Sequence, residues 1–189
     1  MDEQYDEAAS DEAVAASALA DKESFGVLMG RYEAKLARYL SRLGLTRRED
    51  REDVLQDAFL KAYQNLASFD QGLSFSSWMY RIAHNEAVSF MRRRHARPEG
   101  NQVLDGEAIL ETLVEDEALT RDLDASFDRE RLTHAVESLP EKYRTPIVLY
   151  YFEHKNYNEI SDILRTPPGT VATLLSRAKA KLKTALAET

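Results

Sequence analysis

The chain contains no cysteine. That excludes a disulfide framework, a Cys-ligated zinc site, an iron–sulfur cluster and a thiol nucleophile. Histidine is nearly as scarce: His84, His95, His134 and His154 are the only four, and no two stand four residues apart, so a metal hydrolase is not expected. No apolar run approaches the roughly 18–20 residues that span a bilayer. The opening stretch, MDEQYDEAASDEA, is acidic and lacks the basic and apolar segments of a signal peptide. A soluble cytoplasmic protein is the expectation. Glycine and proline are sparse (seven and five) and fall at punctuation points, while no stretch alternates strictly as a strand would. The whole chain therefore reads as all-α. Its 189 residues suffice for one medium domain or two small ones.

What is present is charge, distributed in blocks. The net charge of −8 argues against nucleic acid only until it is resolved along the chain. Residues 1–24 carry eight acids and one base, and residues 96–130 eleven acids and three bases. Between and after them, residues 25–95 carry twelve bases against eight acids and residues 131–189 nine against six. Two basic modules that can face a polyanion, joined by a solvated acidic linker, account for this pattern.

In the first basic block, Phe25, Leu28, Tyr32, Leu36, Tyr39 and Leu40 form the apolar stripe of a long helix ending near Gly44. Val54, Leu55, Ala58, Phe59, Ala62, Tyr63 and Leu66 mark a second helix from Asp53 to Leu66. After a loop at Ser68–Gly72, a third helix carries Phe75, Trp78, Met79, Ile82 and Ala83, with Ser74 as its cap, and runs into Met91-Arg92-Arg93-Arg94. The acidic stretch after Arg97-Pro98 has low packing potential and reads as a tether, with at most a short helix around Ile109–Leu113.

The last block has a helix through Leu132, Ala135, Val136 and Leu139, stopped at Pro140, and a second over Pro146 to about Phe152. A third, with Asn158 as the expected N-cap, packs Ile160, Ile163 and Leu164. After the turn Arg165-Thr166-Pro167-Pro168-Gly169-Thr170, the final helix buries Val171, Leu175, Ala178 and Leu182. Thr166 is read as its N-cap and Pro167 as its first residue. Two short helices, a tight turn and a basic final helix make a helix-turn-helix pattern. That final helix turns Thr170, Thr173, Ser176, Arg177, Lys179, Lys181 and Lys183 away from its apolar stripe, where hydroxyls and cations can meet phosphates and base edges.

Two further stretches stand out. Arg92-Arg93-Arg94-His95-Ala96-Arg97 extends a helix that also bears Trp78, Tyr80, Arg81 and Asn85. The arginines suit nucleic acid, whereas Trp78 reads as core. The segment Glu49–Phe59 is too charged to be only core. Asp53 and Asp57 share one face with Gln56 beside them, and with nothing nearby to complete a metal or catalytic site, a protein-contact face is the better reading.

At these residues the chain resembles a known family. Asp53-Val54-Leu55-Gln56-Asp57-Ala58-Phe59-Leu60-Lys61-Ala62-Tyr63, then Phe69-Asp70, then Phe75-Ser76-Ser77-Trp78-Met79-Tyr80-Arg81-Ile82-Ala83-His84-Asn85 and the arginine run are similar to region 2 of extracytoplasmic-function sigma factors of the sigma-70 family. Leu139-Pro140-Glu141-Lys142-Tyr143-Arg144, Tyr157–Leu164 and Gly169–Ala178 resemble region 4. The implied organisation is an acidic tail over 1–21, region 2 over 22–97, an acidic linker over 98–127 and region 4 over 128–189.

The resemblance implies a promoter-specificity subunit of bacterial RNA polymerase, with no catalytic residue, metal or cofactor of its own. Asp53, Gln56 and Asp57 would contact the clamp of the largest core subunit, with Phe59 supporting them from beneath. The loop before Phe75 and the helix bearing Asn85 and Ser89 would read the −10 element and capture a base flipped from the melting duplex, while Arg81, Arg92 and Arg93 hold the backbone. The −35 element would meet Arg144 and Lys155 as phosphate contacts, together with Thr166, Pro168, Gly169, Thr170, Thr173, Ser176, Arg177 and Lys179. An anti-sigma factor is the expected further partner. The chain departs from the family at Arg165, where Gly is common; at Ala172 and Leu174, which replace a basic pair and leave Leu174 exposed; and at Ser89, where an acid is frequent. The acidic tail lies outside the pattern, either discouraging nonspecific DNA binding or doing nothing. Two other readings stand beside the sigma factor: a sigma-mimicking protein that titrates an anti-sigma factor, and a plain helix-turn-helix repressor. An enzyme is the weakest, because no nucleophile–base pair or Gly-rich phosphate loop is present.

Overall fold

The computed structural model describes residues 9–95 and 129–187, and among these every regular element is helical. The expected tether, with its short helix around Ile109–Leu113, lies outside the described residues.

Helix α1 (Asp11–Ser17) occupies part of the stretch that the sequence assigns to an acidic tail. Ser10 Oγ accepts the Ala13 N–H at 3.2 Å, and Asp11 and Glu12 sit in the first turn, where the helix dipole favours them. Its opposite side buries Val14 and Ala15. The acids are also tied down: Asp11 pairs with Arg31 at 2.7 Å and accepts the Tyr32 hydroxyl, while Glu12 accepts the Phe75 N–H at 2.9 Å. Periodicity missed this helix because seven residues hold only two turns.

Helices α2 (Glu23–Arg42), α3 (Arg48–Asn65) and α4 (Phe75–His95) form the first module. The anticipated stripes are the observed core: Leu28, Tyr32, Leu36, Tyr39 and Leu40 of α2 meet Val54, Ala58, Phe59 and Ala62 of α3 and Phe75, Met79, Ala83 and Ala87 of α4, all buried. Past α2, Gly44 takes φ 108°, a backbone that a side chain would strain. Ser74 caps α4 as expected, its Oγ accepting the Ser77 N–H at 3.3 Å. Phe69, Phe75 and Trp78 pack as a ring cluster with centroids 5.3–5.5 Å apart, so Trp78 belongs to the core.

The second module comprises α5 (Arg129–Ser138), α6 (Glu141–Ile147), α7 (Tyr157–Leu164) and α8 (Pro168–Ala187). Three boundaries differ from the sequence reading. First, α6 begins at Glu141 with Pro146 inside it; proline supplies no N–H for the carbonyl four residues back, and the helix continues from Val148 to Phe152 as a wider π turn. Second, the cap of α7 is Asn156 rather than Asn158. Its side chain accepts from the N–H groups of Asn158 and Glu159 at 3.0 Å, and Glu159 returns a bond from the Asn156 N–H at 2.9 Å, completing a capping box. Third, α8 starts one residue later than read. The Pro167 carbonyl accepts from Thr170 and Val171, which makes Pro168 the first helical residue, and Thr166 Oγ1 bonds the Leu164 carbonyl instead of capping.

The modules pack against each other. Helix α7 lies on α4, and the π turn reaches α2.

Candidate nucleic-acid interface

Three groups of functional side chains emerge, and the fold treats them differently. On α3 the helical period separates Asp53, Gln56 and Asp57, all exposed, from Val54, Ala58 and Phe59, which face the core. Phe59 is thus buried on the core side of the helix whose outer side carries the acidic patch. Leu60, 52% exposed, extends the patch one turn beyond Gln56 and Asp57. It falls within the family motif, but the sequence reading gives it no role, although its spacing of three and four residues from Asp57 and Gln56 puts it on their face. An apolar residue among carboxylates on an open face is an ordinary contact surface for a protein partner.

On α4, Asn85, Ser89, Arg92 and Arg93 are exposed at helical spacing along one surface. Arg94 is not available in the same way, because it pairs with Asp50 of α3. Arg81, assigned to the same surface, is half-buried where α7 crosses α4; loss of solvent and the nearby Arg165 lower its pKa, against a smaller upward pull from Asp162. Beside it His84 is held neutral: burial drops its pKa from 6.5 to about 4.

In the helix-turn-helix, Arg165 carries the turn at φ 50°, ψ 46°, the left-handed conformation that makes Gly common there. The turn delivers Pro168, Gly169, Thr170, Thr173, Ser176 and Arg177 to the exposed side of α8, with Thr166 half-buried behind them. Lys179 is half-buried, its ammonium 5.3 Å from the Tyr151 ring centroid. Leu174, expected to be exposed, packs partly buried against the core.

Two expected −35 contacts point elsewhere. Arg144 donates to the Leu139 carbonyl at 3.1–3.3 Å and to the Leu43 carbonyl of the first module at 3.0 Å. Burial lowers its pKa. Lys155 is buried as well, its ammonium 2.7 Å from Ser76 Oγ at the start of α4 and 3.2 Å from Glu159. Both residues lie at the junction of the modules, a placement that spacing along the chain cannot reveal. No cluster of three metal-ligating side chains occurs among the described residues, and no described helix is long and apolar enough to cross a membrane.

A protein-contact face, an exposed basic helix and a helix-turn-helix on one chain define a two-module helical protein built to sit between a protein partner and nucleic acid. The comparisons with known proteins agree. The family described as Sigma-70 region 2 matches residues 28–97, and Sigma-70, region 4 matches residues 129–182. The ECF RNA polymerase sigma-E factor of Haemophilus influenzae is 33% identical over 163 residues, covering 84% of this chain and 85% of the relative. The ECF RNA polymerase sigma factor SigW of Bacillus subtilis is 33% identical over 171 residues, covering 86% and 89%. Among solved structures, CnrH in complex with the cytosolic domain of CnrY is 26% identical with a TM-score of 0.68, covering 94% of this chain and 97% of that one. The sigma factor RpoE of Bartonella quintana, solved with the anti-sigma factor NepR, shares the fold at 22% identity and a TM-score of 0.67. The chain belongs to the ECF sigma factors of the sigma-70 family.

Proposed function

We propose that this chain binds bacterial core RNA polymerase and directs it to promoters, with the three surfaces dividing the work. The α3 patch of Asp53, Gln56, Asp57 and Leu60 docks on the polymerase. The loop before Phe75 and the exposed Asn85, Ser89, Arg92 and Arg93 of α4 engage the −10 element as it melts, the cations holding phosphates while the amide and hydroxyl meet an unstacked base. The exposed side of α8 enters the major groove at the −35 element, with Thr170, Thr173, Ser176 and Arg177 toward it. Catalysis belongs to the polymerase. A factor of this family that exposes both a polymerase face and DNA faces is a target for an anti-sigma factor, and we include such control in the reading.

The observation that carries this function is the α3 face: three polar side chains and a leucine stand in solvent on a helix whose other side buries Phe59. A repressor has no use for such a surface. The sigma-mimic reading draws on an exposed Leu174 and on the reduced basic helix, and of these Leu174 is partly buried against the core. The test is co-elution of the full chain with bacterial core polymerase in gel filtration, followed by run-off transcription. Wild type should co-elute and Asp57→Ala should weaken the complex without loss of helicity. A folded wild type that elutes apart from core overturns the assignment.

A further inference from the structure

Glu153, in the turn between the two halves of the second module, reaches into the first. Its carboxylate lies 2.7 Å from the Arg42 guanidinium of α2 and accepts the Tyr80 hydroxyl of α4 at 2.5 Å. The Arg42 and Glu153 side chains are only 7% and 6% exposed, so the pair is sealed from water. Arg42 also stacks on Phe152, 4.8 Å from its ring centroid. Around this pair the bonds of Lys155 to Ser76 and of Arg144 to the Leu43 carbonyl tie the same modules together. A cleft of about 290 Å³ opens beside them, lined by Lys35, Arg38, Arg42, His154 and Lys155, with Glu153 as its carboxylate.

The cations drawn into this junction, Arg144, Lys155 and Arg81, are ones that the family resemblance assigned to promoter DNA. Arg144 and Lys155 have their donors turned inward, and Arg81 is half-buried on α4, the helix on which α7 packs. Geometry gives the same result on the reading proposed above. Elements centred 25 base pairs apart are separated by roughly 85 Å at ~3.4 Å per pair, whereas a compact chain of this length has a radius of gyration near ~16 Å. The packed form cannot reach both elements. We propose that the Glu153–Arg42 ion pair latches the two modules shut and so keeps Arg144 and Lys155 turned into the junction and the two DNA faces too close together to span a promoter, so that the chain restrains itself without another protein. The proposal deepens the sigma-factor reading, on which its consequence for promoters rests; the latch itself does not.

The absence of native cysteine allows two dyes to be placed cleanly on the full chain, at Gln64→Cys on α3 and Lys183→Cys on α8, both exposed. Single-molecule energy transfer should show wild type mainly in one compact population. Glu153→Gln keeps the shape of the side chain and removes the negative charge that faces the buried Arg42 in the closed form only, so the closed-to-open ratio should fall about 100-fold. Binding of a mixed-sequence 40-base-pair duplex, read by anisotropy at low salt, should tighten in parallel. Should Glu153→Gln lose helicity by circular dichroism, Tyr80→Phe removes the second bond to the same carboxylate and should shift the populations in the same direction. Combining Arg42→Glu with Glu153→Arg should restore the compact population that either charge change alone removes. A wild type that is already open, or folded variants with unchanged transfer and DNA affinity, overturns the latch. Co-elution with core polymerase through the α3 face, measured on the same samples, reports separately on the sigma-factor reading, since that face is exposed in the packed form.

Discussion

The Tyr39 hydroxyl lies 3.1 Å from Nδ1 of His84, joining α2 to α4 within the first module. The imidazole is mostly buried, and burial lowers its pKa from 6.5 to about 4. The folded chain therefore keeps His84 neutral at pH values where the unfolded chain protonates it. Its contribution to stability is complete above about pH 6.5 and is lost as pH falls toward 4, a total of about 3 kcal/mol. Glu137 and Glu153 act with opposite sign, because burial raises their pKa values and the folded form then takes up protons more readily. Comparing wild type with His84→Gln cancels them. The difference in unfolding free energy between the two chains should slope across pH 4–6.5; a flat difference would remove the histidine from the account.

The α7 capping box makes a local prediction. Asn156→Ala removes the acceptor for two backbone N–H groups and should cost about 1 kcal/mol. Asn158→Ala, at the position that sequence reading favours as the cap, should stay within ~0.5 kcal/mol of wild type. Urea midpoints of the two variants decide it: equal losses would contradict the observed cap.

Arg165 holds a left-handed backbone in the helix-turn-helix while its side chain lies in solvent. Arg165→Gly relieves that conformation and should stabilise the second module by about 0.5–1 kcal/mol, even after the extra entropy that glycine gives the unfolded chain. Arg165→Val, with a branched Cβ, should destabilise it by a similar amount. Thermal unfolding of both variants would expose the error if they moved together.

On α3, stability and binding should separate. Phe59→Ala empties a buried site and should cost about 3–5 kcal/mol, so its failure to bind core polymerase would report unfolding. Asp57→Ala and Leu60→Ala remove exposed side chains and should leave the unfolding midpoint within ~0.5 kcal/mol. Leu60→Ala should weaken core binding about tenfold if the leucine seats in a pocket of the partner. Undiminished affinity would place the docking surface elsewhere.

Much of this was legible without coordinates. The stripes from Leu28 to Leu40, Val54 to Ala62 and Val171 to Leu182 name the buried faces correctly, because a helix repeats every 3.6 residues and an apolar residue that recurs at that period has only the core to enter. The exposed sides of α3 and α8 follow as the complement. Capping was less readable, since Asn156 and Asn158 have the same chemistry and only the backbone selects between them. The short α1 escaped because its acids resemble a solvated tail until Arg31, Tyr32 and the Phe75 N–H are brought to them.

The sequence by itself determined the long helices, their inward faces, the helix-turn-helix and the family, all of which depend on residues within a few turns of one another. Only the tertiary structure decided how the modules meet, and with that which cations remain for DNA. Glu153 finds Arg42 across 111 residues, Lys155 finds Ser76 across 79 and Arg144 reaches Leu43 across 101. No periodicity links partners so far apart. Their pairing follows from the shapes of two already folded surfaces, and from the cost of leaving a buried charge without its counterpart.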